Sequence, residues 1–189
     1  MDDSQLEQEA RNPTTLPRRL KRLATHPSKQ VRRSTAQNPN TPQSVLKQLA
    51  VDSFMDTRGA VARNPSALPS TQLKLSKDPQ PWVKAQLSSH PSAHHDALRN
   101  LADEYLPNPQ GWGGHILAFL ASNPNTPTAS LVEIYRLSGT HAAIVSKHPQ
   151  FVEVVRELLV LSGEYEKEAV RDMPDEWLMK VWELHRTQI

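Results

Sequence analysis

The dipeptide Asn-Pro, with His-Pro as its substitute, recurs along this chain at nearly constant intervals. It stands at Asn12-Pro13, Asn38-Pro39, Asn64-Pro65, His90-Pro91, Asn123-Pro124 and His148-Pro149. The first three intervals are equal, the fourth is seven positions longer, and the last is one position shorter. A nearly fixed period of about 26 residues predicts a stack of similar structural units, each of which buries its apolar face against its neighbours.

The unit that begins at Asn38 predicts two short helices. Thr41 is a suitable N-cap and Pro42 a suitable first helical residue. The apolar residues that follow share one helical face and are Val45, Leu46 and Leu49. A turn at residues 52–53 separates this helix from a second one. We expect the second helix to end near Ala62, because the residue before Pro65 avoids the helical conformation.

Superposition of the units at an offset of one repeat period aligns mostly apolar side chains in four columns. These are Leu23, Leu49, Leu75 and Leu101; Ala24, Ala50, Ser76 and Ala102; Val31, Thr57 and Val83; and Thr35, Val61 and Leu87. A half-unit of about 13 residues is too short for a βαβ crossover, and strand-like alternation is absent. The columns therefore predict the core of an all-α solenoid.

The unit from Asn38 to Asn64 resembles the leucine-rich repeat variant, a relative of the HEAT-type repeats. The shared features are Asn-Pro-Asn-Thr-Pro at its start, an apolar helix, an aspartate in the turn, and Ala-x-Asn-Pro at its end. The opening recurs at residues 123–127, and the resemblance extends over residues 10–150. It implies a right-handed superhelix of paired short α or 3₁₀ helices. Because the family has no common activity, it implies a fold rather than a function.

The period divides the chain into three parts. An acidic N-terminal segment covers residues 1–9, and the repeat array covers residues 10–150 with units beginning near residues 12, 38, 64, 90 and 123. Residues 151–189 are expected to form a C-terminal repeat and capping helices, the last of which begins at Pro174. The fourth unit is longer than its neighbours, and the excess falls at residues 105–114.

Composition excludes several classes of protein. The chain has no cysteine, which excludes disulfides, cysteine-ligated zinc and iron–sulfur clusters. Its N-terminus is acidic and polar rather than a secretory signal, and no apolar run approaches the roughly 18 residues of a membrane span. We expect a cytoplasmic protein with no cofactor and no membrane association.

Charge is distributed unevenly. Residues 10–101 contain 15 basic and four acidic residues, whereas residues 102–189 contain seven basic and twelve acidic ones. Such asymmetry is typical of polyanion-binding proteins. Arg32, Arg58 and Lys84 occupy the same position in three successive units and are predicted to form a basic ladder. The candidate binding residues are Arg18, Arg19, Arg22, Arg32, Arg58, Lys84 and Trp112. The ladder has a second, purely structural interpretation, because HEAT-like repeats often pair Asp with Arg between units. Asp52 and Asp78 stand six residues before Arg58 and Lys84, as that pattern would have it.

No catalytic or metal-binding motif stands out. His90, His94, His95 and Asp96 have spacing suggestive of a metal site, but His90 precedes a proline and fills a column otherwise occupied by asparagine. The loop Gly111-Trp112-Gly113-Gly114 lacks the Lys-Ser/Thr of a phosphate-binding loop.

Three functional hypotheses follow. The first is a non-enzymatic scaffold that binds a protein partner, with Trp112 as an exposed anchor. The second is a nucleic-acid-binding protein that uses the basic surface of residues 10–101. The third is an enzyme similar to the DNA glycosylases that occur among HEAT-like folds, which would need a carboxylate beside Trp82 or Trp112.

Overall fold

The computed structural model describes residues 2–137 and 139–185, and this part of the chain is all-α with fourteen helices and no strand. The all-α prediction is therefore confirmed. The helices are α1 (Asp3–Arg11), α2 (Pro17–Leu23), α3 (Lys29–Gln37), α4 (Gln43–Leu49), α5 (Met55–Ala62), α6 (Pro69–Leu75), α7 (Pro81–Ser88), α8 (His95–Tyr105), α9 (Trp112–Ser122), α10 (Thr128–Arg136), α11 (Gly139–Val145), α12 (Phe151–Leu161), α13 (Lys167–Arg171) and α14 (Asp175–His185). No helix in the described residues is both long and apolar enough to cross a membrane.

The contacts between helices sort them into two series. Each odd-numbered helix from α1 to α9 packs against the next odd-numbered helix, ending at α11. The even-numbered helices from α6 to α14 likewise pack against the next even-numbered one. Each of α2, α4 and α6 packs against the odd-numbered helices on either side of it in the chain. The chain thus alternates between two layers as it advances.

The helices begin and end close to the predicted positions. Helix α4 begins at Gln43 with Pro42 as its N-cap, so the prediction that Thr41 caps it is wrong by one residue. The Thr41 side chain instead donates a hydrogen bond of 2.6 Å to the carbonyl of Thr35. Because Thr41 is buried, its hydroxyl satisfies the end of the preceding helix rather than the start of the following one. Helix α5 ends at Ala62, as predicted.

The apolar columns form the core. All four members of the leucine column, Leu23, Leu49, Leu75 and Leu101, are at most 3% exposed. Every side chain of the other three columns is also buried. Most buried apolar residues from Ala24 to Trp182 belong to one contiguous cluster, and Ala10, Leu23 and Val31 form a second, smaller cluster at the N-terminal end. The offset of one repeat period therefore identified core positions correctly in each of these units.

The asparagines of the Asn-Pro dipeptides link each unit to the one before it. The side-chain Nδ2 of Asn38 donates to the carbonyls of Ala10 and Asn12, at 2.7 and 2.8 Å. The Nδ2 of Asn64 donates to the carbonyls of Ala36 and Asn38, at 2.7 and 2.9 Å. In each case the two acceptor carbonyls lie at or beside the end of the helix that precedes the Asn-Pro dipeptide of the earlier unit, where backbone carbonyls lack intrahelical partners.

The same bonding recurs after the long fourth unit. Asn123 Nδ2 donates to the carbonyls of Ser88 and His90, each at 2.8 Å. His148 Nε2 lies 2.8 Å from the carbonyl of Asn123. We call this set of bonds the asparagine ladder; its members are Asn38, Asn64, Asn123 and His148.

The acceptor side of these residues explains why histidine can replace asparagine. In Asn64, Oδ1 accepts the N–H of Ser66, which closes the turn after the dipeptide. In His148, Nδ1 accepts the N–H of Gln150 at 3.1 Å. Asparagine and neutral histidine both offer one acceptor toward their own turn and a donor toward the preceding unit. His90 is an exception: its Nδ1 accepts the N–H of Ser92, but its buried Nε2 has no hydrogen-bond partner, so the bond to the preceding unit is missing at this position. Burial lowers the pKa of His90, which favours the neutral ring.

The C-terminal helices are only partly buried. Helix α14 begins at Asp175, directly after Pro174 as predicted, and buries Leu178 and Trp182. Trp177 and Leu184 on the same helix are 62% and 74% exposed. Residues 151–185 thus contribute to the core on one side and leave an apolar surface on the other. The predicted cap also includes residues 186–189, which lie outside the described part of the chain.

We expect Asn64→Ala to lower the free energy of unfolding by about 2–4 kcal/mol, because two buried carbonyls each lose a donor at about 1–3 kcal/mol. Asn12 is the matched control: it holds the same place in the first unit, is exposed, and its side chain bonds within its own turn, to Thr14. Asn12→Ala should cost less than about 1 kcal/mol. Urea unfolding followed by circular dichroism measures both, and equal losses would contradict the ladder.

Candidate binding surfaces

Two of the three predicted ladder cations are held in bidentate ion pairs. Arg32 donates to both carboxylate oxygens of Asp52, at 2.6 and 3.0 Å. Arg58 does the same to Asp78, at 2.6 and 3.1 Å. Each pair joins residues 20 positions apart and so links successive units. These guanidinium groups are largely buried, at 16% and 12% side-chain exposure.

The remaining donors and acceptors of these pairs are also occupied. A further guanidinium nitrogen of Arg58 donates to the carbonyl of Asp52 at 2.7 Å. Asp52 accepts the N–H of Phe54, and Asp78 accepts the N–H of Gln80. Each aspartate therefore caps the turn that precedes its own unit's second helix while neutralising an arginine of the preceding unit.

Lys84, the third predicted ladder residue, is buried and paired as well. Its Nζ lies 2.5 and 2.8 Å from the two carboxylate oxygens of Glu104. It also lies 5.5 Å from the centroid of the Tyr105 ring. Together, the three ladder residues face acidic partners, which is the structural alternative set out from the sequence. They are not available to bind an external polyanion.

The cluster of arginines on α2 divides into two kinds of residue. Arg19 donates to both carboxylate oxygens of Glu9, at 2.8 and 2.7 Å, and fastens α2 to α1. The hydrogen bond from Arg19 lowers the pKa of Glu9, although burial opposes it. Arg18 and Arg22 are exposed and form no ion pair within the described residues. The two exposed arginines, but not Arg19, remain candidates for binding.

Trp112 is the first residue of α9 and is 47% exposed. Sequence reasoning missed its neighbour Phe119, which is 42% exposed on the same helix. His115 lies between them, with its ring 6.1 Å from that of Trp112, centroid to centroid. Together with Gly111, the three rings line an open, mostly apolar depression of about 430 Å³. We call Trp112, His115 and Phe119 the α9 aromatic patch.

The glycines at the start of α9 pack closely against the preceding insertion and hold the patch in place. A Cβ added to Gly113 would overlap the carbonyl oxygen of Asn108, so only glycine permits this close approach. Gly114 is similarly close to the carbonyl of Pro109, and Gly111 has a φ of 55°. The insertion at 105–114 is thus folded tightly against the start of α9.

The other candidates from the sequence lack the geometry of a reactive site. Trp82 is half-buried, and its ring packs so closely on Gly59 that a Cβ added there would overlap it. No carboxylate lines the depression beside Trp112, so this depression gives the glycosylase hypothesis no support.

Ligand atoms of His94, His95 and Asp96 lie within 4.8 Å of one another. However, His94 Nδ1 accepts the N–H of Asp96 as the N-cap of α8. A cation there would face the positive end of the helix dipole.

Comparison of the chain with protein-family models, with curated proteins and with solved structures gives no match.

The Arg32–Asp52 ion pair should make the free energy of unfolding depend on pH in the acid range. Burial raises the pKa of Asp52, but the hydrogen bonds from Arg32 and Phe54 N–H and the charges of Arg32 and Arg58 outweigh it, so the net pKa is lowered. The unfolded chain then takes up a proton before the folded chain does as pH falls. The stabilisation by Asp52 should be complete above its unfolded pKa of about 3.9 and should disappear as pH falls toward the lower folded pKa.

Asp52→Asn removes this titration and retains an acceptor for Phe54 N–H. We expect the variant to be less stable than the wild type at pH 7 and the difference between them to shrink between about pH 4 and pH 2. Urea unfolding at each pH measures it. A difference that is constant with pH, or that grows in acid, would contradict the ion pair.

Proposed function

We propose that this chain is a right-handed helical-repeat solenoid, related to the leucine-rich repeat variant or HEAT-like families, that works as a non-enzymatic scaffold for a protein partner. The alternation of helices between two layers supports the solenoid, as do side-chain bonds that recur at 26-residue offsets. A stack of such units is open along its length and offers extended surfaces for binding.

The observation that carries the protein-binding proposal is the α9 aromatic patch. Trp112 and Phe119 are two large apolar side chains left exposed on one helix, seven residues apart and so on the same face. A tryptophan beside a concave apolar surface is typical of the residues that dominate the energy of protein interfaces. The tight packing of the 105–114 insertion fixes the patch in advance, which reduces the entropy lost on binding.

The ion-paired ladder is the reason to prefer this proposal over nucleic-acid binding through Arg32, Arg58 and Lys84. Each of these cations already has an acidic partner at 2.5–2.6 Å. At Arg32 and Arg58 a phosphate could bind only by replacing a carboxylate whose side chain is at most 7% exposed, which would leave that carboxylate unpaired at a cost of several kcal/mol.

A photo-crosslinking amino acid at position 115 should trap a discrete protein partner from an extract of the source cells, whereas the same group at Ala129, exposed on α10 in the other layer, should not. Mass spectrometry then identifies the partner for purification. Trp112→Ala combined with Phe119→Ala should weaken binding of that purified partner at least about 30-fold, since the loss of even one hot-spot residue costs about 2 kcal/mol or more.

Leu161→Ala is the matched control, because Leu161 is an exposed apolar residue on α12, at 59% exposure. The Leu161→Ala variant should bind the purified partner with a dissociation constant close to that of the wild type. A purified partner that binds the double variant as tightly as the wild type would contradict the assignment of the patch, and so would equal crosslinking from positions 115 and 129.

A further inference from the structure

A second charged surface lies on α2, α4 and α6 and the turn after α6, away from the ion-paired ladder. Its members are exposed cations that form no ion pair within the described residues: Arg18, Lys21, Arg22, Lys47, Lys74 and Lys77. We call this set the basic face. It differs from the ladder of Arg32, Arg58 and Lys84 because its cations are exposed, and an anion can bind them without displacing a carboxylate.

No acid in the described residues forms an ion pair with a member of the basic face, and Asp78, which follows Lys77, is held by Arg58. Helices α2, α4 and α6 contain no aspartate or glutamate, and the chain has no acid between Glu9 and Asp52. Glu9 is held by Arg19, and Asp52 by Arg32. The potential over these three helices is therefore positive, and it attracts anions over roughly one Debye length.

Several charges of the basic face occupy equivalent positions on successive helices. Leu23, Leu49 and Leu75 are buried at equivalent positions of the three helices, so the residues on the opposite face of each helix are equivalent too. Lys21 and Lys47 are one repeat period apart, and the interval between Arg22 and Lys74 is twice that. A row of charges that advances with the units fits an elongated polyanion better than a compact one.

Neutral hydrogen-bond donors lie among these cations. Gln43, Ser44 and Gln48 are exposed on α4, and Ser70 is exposed on α6. Side chains of this kind share the binding of phosphate oxygens with lysine and arginine in nucleic-acid complexes.

The composition of the face also selects among polyanions. Helices α2, α4 and α6 contain no aromatic residue. Binding of single strands depends on aromatic stacking of bases. Insertion into a lipid interface uses Trp, Phe and Leu beside the basic residues, whereas the exposed apolar residues here, Leu16, Val51 and Leu68, stand at the ends of the three helices. Contact with the phosphate backbone of a duplex needs neither.

We propose that the basic face binds the phosphodiester backbone of double-stranded nucleic acid, without base contacts. This site is separate from the α9 aromatic patch and uses different residues from the ladder that the sequence suggested. The interaction is electrostatic, so its affinity depends steeply on salt and little on base sequence.

Fluorescence anisotropy with labelled 20-base-pair DNA and RNA duplexes of mixed sequence tests the proposal, and the two arms identify the preferred duplex. For about six phosphate contacts, affinity should fall about 10³-fold between about 50 and 200 mM salt. The variant Arg22→Gln, Lys47→Gln, Lys74→Gln removes one charge from each helix. It should weaken binding at the lower salt concentration and reduce the slope of log K against log salt by about one per charge removed.

The control Arg136→Gln, Lys147→Gln, Lys167→Gln removes three exposed charges outside the face, so both variants have the same net charge. This control should bind the duplex like the wild type. Trp112→Ala should also bind it like the wild type, because Trp112 belongs to the α9 aromatic patch, so loss of partner binding in that variant tests only the protein-binding proposal. Vesicles of phosphatidylcholine and phosphatidylserine in equal parts provide a third arm. The proposal is overturned by absence of duplex binding at the lower salt concentration, by equal loss in both triple variants, or by binding confined to these vesicles.

Discussion

The bonds of the asparagine ladder are the interaction on which the rest of this structure depends. Helices of seven to nine residues, such as α3 and α4, are too short to be stable alone, and a large share of their backbone groups lacks intrahelical partners. Asn38 and Asn64 supply donors to carbonyls at the end of the preceding unit's second helix. The need to satisfy these buried carbonyls fixes the position of each unit against the one before it.

The ion pairs Arg32–Asp52 and Arg58–Asp78 also hold each unit against the one before it. Each aspartate caps its own unit and neutralises an arginine of the preceding one, so local and inter-unit structure depend on one side chain. The arrangement has a consequence for function. Cations at the ladder positions stabilise the stack, while the accessible charge and the exposed aromatic rings lie elsewhere, on the basic face and on α9.

Periodicity alone was enough to predict core positions in the units that share the 26-residue period. Leu23, Leu49 and Leu75 follow one another at the repeat period, and burial follows from the need of each unit to cover its apolar face. The start of α4 was misjudged by one residue, because the buried Thr41 hydroxyl has a better acceptor in the preceding helix than in its own. Such a choice depends on the packing of two helices and is not visible within one unit.

The pairing of polar residues was the least predictable part. The sequence suggested that Asp52 belongs to a ladder with Arg58, six residues later, but its carboxylate binds Arg32 and only its carbonyl binds Arg58. The partners of Asn64 lie 26 and 28 residues away. Phe119 could have been grouped with Trp112 from their spacing on one helix, but its exposure depends on how α9 packs on its neighbours.

Deletion of residues 38–63 tests most directly whether these offsets specify the fold. The deletion removes one full repeat period and joins Gln37 to Asn64, so that Asn64 meets the carbonyls of residues 10 and 12 and Arg32 meets Asp78 in unchanged register. We expect the shortened chain to keep its helix content per residue and to unfold cooperatively by circular dichroism, whereas an out-of-register deletion of residues 38–56 should not. A disordered spectrum or a non-cooperative transition for the in-register deletion would contradict interchangeable units held by the ladders.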